Sequence, residues 1–194
     1  MEARASLGER SHGRRSGELS RLQEARLIRA IRRGDERALE SLFHAHWSRA
    51  HRGAYLVCGD AAAAEDIAQE AFLAAIRHLD RFDLRRPFGP WMHRIVVNRA
   101  IDHARASRLR GIPTDRVEEH GAASADDRAE LSDEVASAIR QLDPERRALV
   151  VLRYLLEFTP GEIAEMLDLP RGTVNSRLRR ALDQLRETIE AQHG

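Results

Sequence analysis

Thr159-Pro-Gly-Glu-Ile-Ala-Glu-Met-Leu-Asp168-Leu-Pro-Arg-Gly-Thr173-Val-Asn-Ser-Arg-Leu-Arg-Arg-Ala181 reads as two short helices joined by a tight turn. Ile163, Ala164 and Leu167 put apolar groups on one face of the first helix. Leu169-Pro170 ends it, because proline cannot continue a helix and restricts the residue before it. In the second helix Val174, Leu178, Ala181, Leu182 and Leu185 recur at i, i+4, i+7, i+8 and i+11, which predicts a buried stripe. Thr173, Ser176, Arg177 and Arg180 form another stripe at i, i+3, i+4 and i+7. A helix buried along one side, with short hydroxyls and arginines along another, suits the major groove of DNA. A solvated arginine-rich helix packed on a neighbour accounts for this stretch alone equally well.

Upstream of it, Leu149, Leu152 and Leu156 make an apolar stripe behind Asp143-Pro144, a cap followed by proline at the first helical position. Leu131, Val135, Ala138, Ile139 and Leu142 make another. The spacing predicts a second domain over 130–194, built of four short helices ending near Ala191. Before it the charge changes sign abruptly. Trp91 to Arg110 carries five arginines and one aspartate, whereas Asp115 to Glu134 carries eight carboxylates and two arginines. With Gly111, Pro113 and Gly121 this marks a flexible acidic linker at 110–129.

The first domain is expected over 19–109. Ser20 opens a capping box with Gln23, and Leu22, Leu27, Ile28 and Ile31 follow before Gly34. Asp35 caps a helix that buries Leu39, Leu42, Phe43, His46, Trp47 and Ala50 and runs to about Cys58. A third helix, 61–79, faces Ile67, Ala71, Phe72, Ala75, Ile76 and Leu79 inward. Asp80 to Gly89 holds too many breakers for a helix. Pro90 then suits the first turn of a helix to about Arg108, with Trp91, Ile95 and Ile101 as core positions. Residues 1–18 lack periodicity and read as a disordered arm. No strand alternation competes anywhere. The expected fold is all-α: two small helical domains joined by a flexible acidic linker, the second a four-helix domain with a helix-turn-helix.

The totals agree with that. Of 194 residues 42% are hydrophobic but only 5% aromatic, which favours helical cores of Leu, Ile, Val and Ala. A formal net charge of +1 says little about partners. All 32 basic residues are arginine, so each basic contact can be bidentate. The single cysteine, Cys58, excludes an internal disulfide and sits in an apolar segment, as an inert core thiol would. Met1 to Gly17 has no apolar run, so it is not a secretory signal, and no segment approaches the ~18 apolar residues of a membrane span. A soluble cytoplasmic protein without membrane insertion is expected. His44, His46, His51 and Cys58 match no closed zinc pattern, and His44 and His46 point to different helix faces. Neither a catalytic constellation nor a nucleotide-binding motif stands out, so the chain reads as a non-enzyme without a cofactor.

Four blocks together resemble the extracytoplasmic-function (ECF) group of bacterial sigma-70 factors, over about residues 20–190. Ala64-Glu-Asp-Ile-Ala-Gln-Glu-Ala-Phe72 resembles the core-polymerase-binding helix. Leu79-Asp-Arg-Phe82 with Trp91-Met-His-Arg-Ile-Val-Val-Asn98-Arg-Ala-Ile-Asp102 resembles the loop and helix that read and open the minus-ten element. Leu142-Asp-Pro-Glu-Arg-Arg147 with Leu152-Arg153 resembles the start of the second domain. Glu162-Ile-Ala164 with Gly172 to Ala181 resembles the minus-thirty-five reader. Asp168 stands where glycine is common, Asn175 where a basic residue is frequent, and Pro160 where an aromatic or polar residue is more usual.

The resemblance implies a dissociable subunit that directs core RNA polymerase to promoter DNA, both as duplex and as melted non-template strand. An anti-sigma factor is implied as a further partner. Asp66, Gln69 and Glu70 would dock on core polymerase. Phe82, Arg85, Arg86, Phe88, Arg94, Asn98 and Arg99 would handle minus-ten DNA, Phe82 and Asn98 lining a flipped-base pocket. At minus-thirty-five, Ser176, Arg179 and Arg180, with Asn175 beside them, would meet base edges, and Arg171, Thr173 and Arg177 phosphates. A stand-alone helix-turn-helix regulator explains only the second domain. A helical adaptor explains the amphipathic helices but not the arginine-bearing stripe.

Overall fold

The computed structural model describes residues 19–111 and 132–193. The expected arm at 1–18, most of the acidic linker and Leu131 lie outside the described residues. Among the described residues the chain forms eight α-helices and no strand.

Local signals set most boundaries. Ser20 and Gln23 close the capping box that starts α1 (Arg21–Ile31), Ser20 N–H donating to Gln23 Oε1 at 2.7 Å. Gly34, at φ +87°, turns the chain into α2 (Glu36–Cys58), which Asp35 caps. Gly59 ends α2 in the left-handed conformation and Asp60 caps α3 (Ala61–His78), so stop and start are adjacent. A 3₁₀ turn, Leu79–Arg81, and a loop lead to α4 (Phe88–Leu109). In the second unit Ser132 caps α5 (Asp133–Gln141) and Asp143 caps α6 (Pro144–Val150). A π-type turn, Val151–Leu155, extends α6. Thr159 and Glu162 form the box that starts α7 (Pro160–Leu167), and α8 spans Arg171–His193.

Three expectations need correction. α4 begins at Phe88, because Pro87 is extended at its N-cap and leaves Phe88 and Gly89 free to start the helix. α8 is 23 residues long rather than short, since nothing in its sequence breaks it before His193. Ile76 and Leu182 are exposed, at 37% and 38%, because each lies at the edge of its stripe where the neighbouring helix no longer covers it.

The two domains pack against each other and share a core. One buried cluster runs from Ile28, Leu42 and Phe72 through Met92 and Val96 to Leu149, Leu152, Phe158, Ile163 and Val174. It belongs to both units. A smaller cluster of Ala138, Ile139, Leu142, Val150, Ala181 and Leu185 holds α5, α6 and α8 together. The second unit packs α6 and α7 against α2 and α4 of the first. At the centre of that contact Arg147, only 4% exposed, donates to Val57 O at 3.0 Å. It also donates to Arg140 O and Leu142 O. A cation on the last carbonyls of α2 is favoured by the helix dipole.

Candidate nucleic-acid and polymerase interfaces

The helix-turn-helix is built from its caps outward. Asp168 ends α7 at φ +52°, ψ +48°. This left-handed position usually takes glycine and is tolerated by a short polar side chain. Leu169 N–H then bonds to Ala164 O, which closes the turn, and Pro170 O receives Thr173 N–H and Val174 N–H as α8 starts. Val174, Leu178, Ala181 and Leu185 are buried. At 3.6 residues per turn, Ser176, Arg179 and Arg180 fall within about 50° of the direction opposite that stripe. Thr173 and Arg177 flank it, half-buried, while Arg171, Asn175, Arg179 and Arg180 are exposed. Ser176 Oγ donates to Thr173 O at 3.0 Å. Among the described residues Arg171, Arg177, Arg179 and Arg180 face no carboxylate partner. The N–H groups at the start of α8 add to their positive charge.

α4 carries the second arginine-bearing face. Met92, His93, Val96, Val97, Ala100 and Ile101 are buried, while Arg94 and Asn98 are exposed one turn apart and Arg99 is half-buried beside them. Trp91 and Ile95, expected as core, are half-buried and pack at the core's edge. Arg94 Nη1 donates to Glu165 O on α7 at 3.4 Å. Arg86 Nη2 lies 3.5 Å from Glu165 Oε2. Arg85 pairs with Asp83 at 3.0 Å, which lowers the carboxyl pKa and raises that of the guanidinium. Both residues are exposed in the loop.

The two aromatic residues of the expected minus-ten set are both buried. Phe88 is 2% exposed and Phe82 7%, so neither ring meets solvent. Phe82 packs on Trp91 at 4.8 Å and on Phe88 at 5.8 Å, and Phe88 packs on His46 at 5.0 Å. The physical reason is that Phe88 belongs to the first turn of α4, where the helix aims it inward. Of the two rings Phe82 is the outer one.

On α3, Asp66, Gln69 and Glu70 are exposed together. Gln69 Nε2 donates to Glu65 Oε1 at 3.1 Å, and Glu70 pairs with Arg99 of α4. The expected polymerase-facing and DNA-facing groups thus touch at one point. Leu73 and Ile76, both exposed, continue this face of α3. Cys58 is buried, its Sγ toward Asp60 O at 3.3 Å, and burial pushes the thiol up to about 11. The histidines of the rejected metal pattern have separate carboxylate neighbours, His44 facing Glu40 at 3.8 Å and His46 facing Glu24 at 3.0 Å.

Sequence reasoning missed the residues that join or brace these faces. Arg105 pairs with Glu145 across the two units. Arg49 reaches Leu156 O and stacks over the Phe158 ring, 4.6 Å from its centroid. His93 is buried against Phe158 at 5.2 Å, and its pKa lies well below the ordinary value. Burial is the main cause, with Arg49 and His46 adding to it. A surplus of arginine in the sequence gave no signal for which ones turn inward.

Comparison with known proteins fits this architecture. The family model for sigma-70 region 2 matches residues 42–110, and that for sigma-70 region 4 matches 132–185. The chain is 30% identical over 176 residues to the ECF RNA polymerase sigma factor SigW of Bacillus subtilis, covering 84% of this chain and 94% of that one. It is 34% identical over 163 residues to the ECF sigma factor SigM of Mycobacterium tuberculosis, covering 84% and 82%. Among solved structures it resembles CnrH in complex with the cytosolic domain of CnrY, with a TM-score of 0.65 and 26% identity over 88% of this chain and 97% of that one. RpoE of Bartonella quintana, in complex with the anti-sigma factor NepR, shares the fold at a TM-score of 0.61 and 19% identity, over 78% of this chain and 96% of that one. The chain belongs to the sigma-70 family, as an extracytoplasmic-function RNA polymerase sigma factor. A match in both regions leaves a stand-alone helix-turn-helix regulator unfavoured. No helix among the described residues is long and apolar enough to cross a membrane.

Proposed function

We propose that this sigma factor docks on core RNA polymerase through Asp66, Gln69 and Glu70 and grips a promoter at two points. α8 enters the major groove at minus-thirty-five, with Ser176, Arg179, Arg180 and Asn175 toward base edges and Arg171, Thr173 and Arg177 toward phosphates. At minus-ten, Asn98 and Phe82 take a base of the non-template strand, while Arg85, Arg86, Arg94 and Arg99 hold its backbone. Phe88 acts from beneath, as the support on which Phe82 rests. Removing a base from the stack costs a few kcal/mol. Capture on an aromatic platform returns roughly 1–3 kcal/mol per base, so one or two captured bases offset the opening.

The observation that carries this reading is a pair of arginine-bearing helix faces, on α4 and α8, within the two matched regions of one chain. The polymerase supplies the chemistry. The chain itself is no enzyme, needs no cofactor and works in the cytoplasm. An anti-sigma factor that holds it inactive completes the list of partners; the similar CnrH was solved bound to the cytosolic domain of another protein.

The two-point grip also sets a geometric condition. The element names put the two sites roughly 25 base pairs, or ~85 Å, apart. A compact body of this chain length has a radius of gyration of about 16 Å and is ~40 Å across. The packed arrangement of the two units is therefore a resting form, and promoter binding requires them to separate. Run-off transcription tests the whole proposal: added to sigma-free core polymerase and a pool of linear promoters, the protein should yield defined transcripts. DNA binding without core, or no transcripts at all, would overturn it.

A further inference from the structure

The segment between α3 and α4 carries Phe82, yet much of what fixes its backbone comes from α1. Arg32, the exposed C-cap residue of α1, sends Nε and Nη2 to Leu79 O at 3.1 and 2.8 Å and Nη2 to Phe82 O at 2.6 Å. Two turns earlier, Glu24 Oε2 accepts the Phe88 N–H at 3.1 Å while Oε1 lies 3.0 Å from His46 Nε2. Glu24 is only 7% exposed.

Each contact suits the helix end it touches. α4 has Pro87 at its N-cap and no side-chain cap of its own, so its first N–H groups want an acceptor and a negative charge. Glu24 supplies both from another helix. Carbonyls at the end of α3 and its 3₁₀ turn favour a cation, and Arg32 supplies one whose planar fork holds two carbonyls at once. α1 is thus a brace across the two ends of the Leu79–Phe88 segment. A buried carboxylate is a costly way to gain stability, because an apolar side chain fills such a site without desolvating a charge. It is a good way to fix a backbone position.

We propose that Glu24 and Arg32 are positioning residues for strand opening: by fixing the backbone on both sides of Phe82, they hold its ring, packed on Trp91 and Phe88, as a set wall for the pocket that a flipped base enters. The inference rests on the reading of this segment as the one that captures the non-template strand.

The test uses holoenzyme reconstituted from core polymerase and full-length protein, on duplex and premelted versions of one promoter. The measured quantity is the rate of first-transcript formation on each template, with permanganate reactivity of newly unpaired thymines assigning a loss on the duplex to the opening step. Arg32→Ala removes three charge-assisted hydrogen bonds, any one of which is worth about tenfold, so it should slow opening of the duplex by about tenfold or more and leave the premelted template almost unaffected. Arg32→Lys keeps a donor and should recover part of the rate. Glu24→Gln keeps an acceptor for Phe88 N–H and should stay near wild type, while Glu24→Leu should fold but open slowly. If Glu24→Leu loses its helical circular dichroism, the exposed Arg32 pair carries the test alone. Phe82→Ala is the reference. A duplex-selective loss for Phe82→Ala but not for Arg32→Ala overturns the inference and leaves the reading of the segment intact. Equal losses on both templates for Phe82→Ala remove that reading, and the inference with it.

Discussion

Arg177 and Arg180 share a helix, a charge and a place beside DNA in the proposed complex, yet their positions on α8 assign them different work. Arg180 is exposed on the side away from the core, whereas Arg177 is half-buried at the flank of the stripe. An arginine facing a guanine edge gives ~1–3 kcal/mol of discrimination, and one facing phosphate gives none. Arg180→Ala should therefore relax base preference at one position of the minus-thirty-five element. Arg177→Ala should weaken all sequences alike and reduce the slope of log affinity against log salt by about one. Holoenzyme binding to a set of single-base variants, at two salt concentrations, separates the two. A uniform loss for Arg180→Ala would make it a phosphate contact. Helical spacing alone put both arginines in one stripe, and the division between them is what the resemblance to sigma-70 factors implies. Asp168 was legible as well, as a non-glycine residue in the turn, and its left-handed φ of +52° shows what that position demands. Glu24, His93 and Arg147 were not. Each is polar and buried, and what stabilises it is a partner distant in sequence: Phe88 N–H, the Phe158 ring and Val57 O.

At the scale of elements, the helices were readable where caps and periodicity agree. Ser20, Asp35 and Asp143 cap as predicted, and Asp60 and Thr159 cap as well. The misreadings fall where periodicity carries no information. It cannot tell the π-type turn Val151–Leu155 from α-helix, nor see that Phe88 precedes Pro90 within the same first turn. Nor does it say which helix will lie across a glycine. Gly53 sits inside α2, where glycine costs about 0.8–1 kcal/mol relative to alanine. A Cβ there would come within 3.0 Å of Leu156 Cδ1 from the second unit and 3.9 Å of His93 Nδ1. The helix accepts a local penalty to let the units approach. Gly53→Ala should melt at or above the wild-type temperature, since the tip of Leu156 can shift by a few tenths of an ångström. Gly53→Leu has no such escape. It should keep its helical circular dichroism but show a larger radius of gyration by small-angle scattering. A Gly53→Leu protein as small as wild type would mean that this contact is not what holds the units together.

For the molecule as a whole, the question is what holds the resting form shut and what opens it. The cross-unit ion pairs, Arg86 with Glu165 and Arg105 with Glu145, involve solvent-accessible side chains, and such pairs contribute about 0–1 kcal/mol. Burial of Leu156 and Phe158 against the first unit is worth more, roughly 1.5–3 kcal/mol for each side chain. Salt alone should thus leave the units packed. Acid should not. His93 is buried beneath Phe158, both ring nitrogens lack a hydrogen-bond partner among the described residues, and Arg49 and His46 of α2 repel a proton there. From the second unit Arg153 lies close by, donating to Phe158 O at 3.4 Å. The packed form therefore holds His93 neutral, with its pKa well below the ordinary 6.5, and we expect that separating the units, which lifts Phe158 off the ring, lets it take up a proton. The separated form binds more protons between those two values, so the packing stabilised by neutral His93 is complete above about pH 6.5. It weakens as pH falls below that, by up to about 1.4 kcal/mol per pH unit. The radius of gyration should rise on going from neutral pH toward pH 5.5 and stay constant over the same range in His93→Leu, which packs without a titrating ring. A pH response equal in both proteins would move the acid-sensitive group elsewhere.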